Sequence, residues 1–104
     1  MASVPEGAEL FIVRVVRGGP WDWSKDMREQ EQWTEHAHFM NSLVDDGLIL
    51  LGGPLEGGRD AFHVVDSPSE GALRGRFTED PWGRNGMLRI TSVERWTILL
   101  GPED

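Results

Sequence analysis

The sequence predicts an α+β domain in the order β-α-β-β-α-β, with an antiparallel sheet and both helices on one face, the ferredoxin-like arrangement. Three observations predict it. A nearly continuous β-branched run, LFIVRVVR, spans Leu10 to Arg17. An amphipathic stretch ends at Gly47 and runs straight into a wholly apolar segment, Leu48 to Leu51. Two further strand-like segments, Ala61–Asp66 and Met87–Trp96, flank a second, shorter helical stretch.

Each element has a local reason. Leu10–Arg17 reads as an interior strand and ends at Gly18-Gly19-Pro20. A polar loop, WDWSKD, follows. Asp26 and Glu29 have the spacing of a capping box, so the long helix is expected to begin near Met27 and run to about Asp46. Trp33, His36, Ala37, Met40, Leu43 and Val44 recur at the three- and four-residue steps of one helix face. Gly47 supplies the left-handed cap. Leu48–Leu51 is closed by Gly52-Gly53-Pro54 and forms a hairpin with Ala61–Asp66. Ser67-Pro68-Ser69-Glu70 opens the second helix, which Gly71 and Gly75 weaken before it ends near Phe77. Asp80-Pro81-Trp82-Gly83 reads as a turn. Thr97–Leu100 either extends the last strand or crosses to a partner.

The 104 residues make one domain, with its core at about residues 10–96 and a frayed start at 1–8. Helices cover only one sheet face. The other carries apolar residues of the first two strands, so a homodimer is expected. The formal charge of −8 and the lack of a basic cluster argue against nucleic acid. No apolar run approaches the roughly 20 residues of a spanning helix, and MASVPEGAEL has no signal-peptide pattern. No cysteine is present, which removes disulfides and thiolate chemistry and fits a cytoplasmic protein. Five tryptophans against no tyrosine point to aromatic pocket or interface walls.

Among the three histidines, His36 is distinctive because it falls inside the apolar helix stripe, where an imidazole needs a partner or a job. Histidine is also the side chain that titrates near neutrality. His38 lies roughly 200° around the helix, with Glu31 and Glu35 on the solvated side, so the pair does not chelate a metal. His63 shares a strand face with Ala61 and Val65 and reads as a cross-strand or dimer contact. No cluster supplies the three ligands of a zinc site, so no metal and no cofactor is expected. Among possible carboxylate partners for His36, Asp45 is about 13.5 Å away along the helix and on the opposite face. Glu29 and Glu31 serve the cap and the surface. Asp80 lies in a turn that can reach the first helix, and such a pairing would fix the imidazole tautomer. The glycine pairs match no phosphate-binding pattern, and Ser42 sits in no nucleophile elbow.

The segment HAHFMNSLVDDGLILLGGPL resembles the signature H-x(8)-D-x-G-x(5)-GP of the YCII-related domain family, with His36, Asp45, Gly47, Gly53 and Pro54 in register. DPWGRNGMLRITSVERW is similar to that family's second block through Asp80, Pro81, Trp82 and Gly86. The resemblance implies a dimeric α+β barrel. It also implies a His–Asp dyad, His36 with Asp80, in a pocket beside the dimer interface.

The leading expectation is a cofactor-independent enzyme of isomerase, lyase or dehydrohalogenase type acting on a small cyclic or aromatic molecule. His36 is the general base, oriented by Asp80. Trp33, Phe39, Met40 and Trp82 are candidate pocket walls, and Arg14 is a candidate anchor for an anionic substrate. The alternatives are a non-catalytic small-molecule binding module with the same pocket, and a dimeric accessory protein without a ligand.

Overall fold

The computed structural model describes residues 4–101, so residues 1–3 of the expected frayed start lie outside the described residues. The elements are β1 (Leu10–Arg17), α1 (Trp33–Asp45), β2 (Ile49–Pro54), β3 (Asp60–Asp66), α2 (Glu70–Phe77), α3 (Pro81–Arg84) and β4 (Leu88–Arg95). The four strands form one antiparallel sheet in the order β2-β3-β1-β4. This is the ferredoxin-like α+β arrangement.

Strand parity sorts the two sheet faces. Phe11, Val13 and Val15 of β1 and Val65 of β3 point to the helices and pack with Leu43, Ile49, Leu73 and Phe77. Ile12, Arg14 and Val16 lie on the other face, beside Phe62 and Val64, and are only half-buried. A second cluster of Trp21, Trp82 and Met87 packs with Met27 and Trp33 at one end. Leu88 touches both clusters and joins them.

The long helix starts later than its capping-box pattern predicts. Glu29 does accept a hydrogen bond from the Asp26 amide at 3.0 Å, but the turn it closes is a single 3-10 turn, Met27–Glu29. The cause is Gln30, which is buried. Its side chain donates to the carbonyls of Asp22 and Lys25 and accepts from the Asp22 amide. That anchors the preceding loop, and the chain turns through a left-handed Gln32 (φ 62°) before α1 begins at Trp33. The far end of α1 follows local chemistry. Gly47 has φ 81°, its amide bonds to Val44, and the Leu48 amide bonds to Leu43, the paired bonds of a Schellman cap.

Two other boundaries move. Gly52-Gly53-Pro54 does not end β2; it is the second half of the strand, paired with His63, Phe62 and Ala61. Proline is tolerated there because β2 is an edge strand and needs no outward amide. Residues 81–84 form a short helix rather than a turn. Asp80 caps it by accepting from the Trp82 amide, and Pro81 stands in its first turn.

Candidate functional site

His36 is held one turn into α1, and Asp80 is held at the N-cap of α3. The fold brings them together across 44 positions of sequence. Both are buried, at 8% and 4% exposure. Both carboxylate oxygens of Asp80 lie 2.8 Å from His36 Nδ1. A carboxylate accepts, so Nδ1 carries the hydrogen, which in the neutral ring leaves the lone pair on Nε2. The imidazole also lies flat on Trp82, with ring centroids 3.8 Å apart and planes 11° from parallel. Trp82 is fixed in turn, its indole N–H donating to the Glu31 carbonyl at 2.7 Å. Carboxylate, indole and helix thus leave the imidazole little freedom.

The ring borders a cavity of about 420 Å³ between α1 and the β2 edge. Its walls are mostly apolar: Trp33, Met40, Val44, Ile49, Leu51 and Trp82 among them. The polar groups are few, namely His36, Asn41, Arg17 and His63. A largely apolar hollow with a few placed polar groups is the usual form of a small-molecule site. A second cavity of about 430 Å³ lies behind, bordered by Asp80, Phe77 and Arg74, and His63 borders both.

The other candidate residues divide. Trp33, Met40 and Trp82 line the His36 cavity, but Phe39 does not; it packs against the main core. Arg14 is also absent from the cavity. Its even position on β1 sends it to the open sheet face, where it bonds Asp60 at 2.9 Å and stacks on Phe62. Arg17, three residues on, has the parity of Val13 and Val15 and reaches the cavity. Its guanidinium lies over Trp21, 4.4 Å from the ring centroid, and donates to the Gly58 carbonyl. Partial burial holds it below its ordinary pKa, opposed by the charge of Asp26. Arg17 was missed because the run LFIVRVVR alternates too weakly to show its faces.

His63, read from the sequence as a cross-strand or dimer contact, lies against Gly52 across the β2–β3 pair and borders the cavity. It is 8% exposed, and its Nδ1 is buried without a hydrogen-bond partner. Burial first and His36 second push its pKa down to about 4, with Asp80 opposing the shift. His63 is therefore neutral at physiological pH. His38 lies outside the cavity lining. Among the described residues, no group of three or more His, Cys, Asp or Glu side chains is placed to hold a metal ion.

No protein-family model and no curated protein sequence matches the chain. A solved structure does: the 5-chloro-2-hydroxyhydroquinone dehydrochlorinase of Burkholderia phenoliruptrix in complex with 2,5-dihydroxybenzoquinone. The two superpose with a TM-score of 0.65 at 22% identity, over 85% of this chain and 93% of that one. At that identity the likeness establishes the shared α+β fold.

Proposed function

We propose that this protein is a small cofactor-independent enzyme that moves a proton on a cyclic or aromatic substrate, as an isomerase, lyase or dehydrohalogenase. The observation that carries the reading is the His36–Asp80 contact at 2.8 Å on the wall of a tryptophan-lined cavity. With Nδ1 committed to Asp80, Nε2 is the group that takes a proton from a bound carbon or hydroxyl acid and returns it. Trp33 and Trp82 suit a flat ring. Arg17 at the cavity wall suits an anionic oxygen. The motif resemblance to the YCII-related domain and the fold shared with a dehydrochlorinase support the same class. A cytoplasmic location fits a chain without cysteine, in which no described helix is long and apolar enough to cross a membrane.

The test is turnover of a panel of cyclic ketones, lactones and halogenated hydroxyhydroquinones by the wild-type chain and His36→Asn. Asparagine places an amide N–H near the position of Nδ1, so Asp80 keeps a donor. The melting temperature should stay within a few degrees, on the order of 1 kcal/mol. Turnover should fall about 10²–10⁴-fold, the usual contribution of a positioned base. Equal turnover by both proteins would remove His36 from the chemistry. Binding without turnover of any compound would favour the binding-module reading.

The reading includes a homodimer formed through the open sheet face. Ile12, Val16, Phe62 and Val64 share that face and are left half-buried by the single chain. Covering them against a second sheet should bury more than roughly 1,000 Å², the scale of a specific interface. Light scattering at micromolar concentration should give twice the 11.7 kDa chain mass. A mass of one chain would overturn the dimer.

A further inference from the structure

We propose that His63 is a second functional imidazole of the cavity, donating from Nε2 to the substrate oxygen that gains negative charge when His36 removes a proton. The inference rests on the acid–base reading of His36 and narrows its substrate class. The substrate would be a ring with a carbonyl, or the tautomeric hydroxyl, next to an acidic C–H.

Position is the first argument. His63 sits mid-strand on β3, on the helix-facing row with Ala61 and Val65 and directly opposite Val13 of β1. At such a place leucine or valine would stabilise more, because a buried polar atom without a partner costs free energy. The sheet has instead been cleared for the ring. Its β2 neighbour is Gly52, and a Cβ on that glycine would overlap His63 Nδ1. Gly52 does not have the left-handed backbone that favours glycine. Its missing side chain is explained by the imidazole that fills the space.

The hydrogen position follows from the surroundings. Nδ1 is sealed and has no acceptor, so an N–H there would be an orphaned buried donor, the rarer kind of defect. The hydrogen therefore belongs on Nε2. That nitrogen has no partner among the described residues either, yet it is not sealed, and the ring borders both the His36 cavity and the one behind it. The two imidazoles are thus complementary: His36 offers a lone pair, and His63 offers an N–H.

In the step implied, the C–H bond breaks and its proton goes to His36 Nε2. The electron pair forms a C=C bond, and the carbonyl pair moves onto oxygen as an enolate. That oxygen accepts from His63 Nε2–H. Returning the proton to another carbon completes an isomerisation, whereas loss of a leaving group from the adjacent carbon completes an elimination. A neutral imidazole suits this role, since it strengthens its hydrogen bond as charge develops and does not surrender its proton to the base.

The probe is 2,5-dihydroxybenzoquinone, titrated into the wild-type chain, His63→Leu, His63→Gln and Gly52→Ala and followed by tryptophan fluorescence. His63→Leu should weaken binding by about tenfold or more, the scale of one lost hydrogen bond to an anionic oxygen. It should also raise the melting temperature, because the orphaned nitrogen is gone. Gly52→Ala, which displaces the ring, should weaken binding similarly, and His63→Gln, which keeps an N–H, should recover most of it. Equal binding by wild type and His63→Leu would overturn the role of His63 and leave the His36 reading standing. No binding by the wild-type chain would overturn the ligand site and His63 with it.

Discussion

Asp80→Asn is expected to reduce turnover by about 10²–10⁴-fold while leaving the fold intact. Asparagine is as good an N-cap as aspartate, so α3 keeps its cap on the Trp82 amide. What changes is the proton. An asparagine NH₂ turned toward His36 donates to Nδ1 and moves the imidazole hydrogen to Nε2, where the base must be bare. The same substitution in the serine-protease triad has the same consequence, an imidazole in the wrong tautomer. Substrate binding should change little, so the loss should appear in kcat rather than KM. An Asp80→Asn protein with wild-type kcat would show that Asp80 is a cap and nothing more.

Trp82→Ala should have the largest effect on stability. Trp82 is 1% exposed, meets Trp21 edge-on at 5.2 Å, stacks on His36 and bonds Glu31. Truncating a buried tryptophan costs about 3–5 kcal/mol. For a chain of this length that lowers the melting temperature by on the order of 20 °C. Trp82→Phe should cost less, since it keeps a stacked ring and loses chiefly the indole N–H bond. A calorimetric loss under about 1 kcal/mol for the alanine variant would mean that this end of the molecule repacks freely.

The parts of the fold legible in the sequence are those fixed by local chemistry. The bounds of β1 follow from its β-branched run, the end of α1 from Gly47, and the start of α2 from Ser69, which accepts from the Ala72 amide. The His36–Asp80 contact is partly legible. The apolar stripe isolates His36 from sequence periodicity, whereas its pairing with Asp80 rests on the motif resemblance and an aspartate in a turn. What was hidden depends on contacts distant in sequence. No local pattern announces that Gln30 is buried and holds the loop before α1, so the capping box at Asp26 and Glu29 overstated the helix.

The site shows the same division. Arg14 and Arg17 look equivalent in a strand apolar on both faces, and only the register separates them. A glycine inside an apolar strand marks a close approach. The sequence offered that signal at Gly52, but beside Gly53 and Pro54 it read as a strand exit. Its partner His63, opposite it on β3, is visible only once β2 and β3 are paired.

If Asp80 keeps the Nε2 lone pair of His36 free to act as a base, the imidazole tautomer must show it. Long-range ¹H–¹⁵N NMR of histidine-labelled protein reads it without any substrate, at a pH well above the ordinary histidine value of about 6.5. His36 should carry its hydrogen on Nδ1 and leave Nε2 bare in the wild-type chain, and Asp80→Asn should reverse this. A wild-type His36 with its hydrogen on Nε2 would contradict that role of Asp80, because the cavity would then face a donor where the mechanism needs a base.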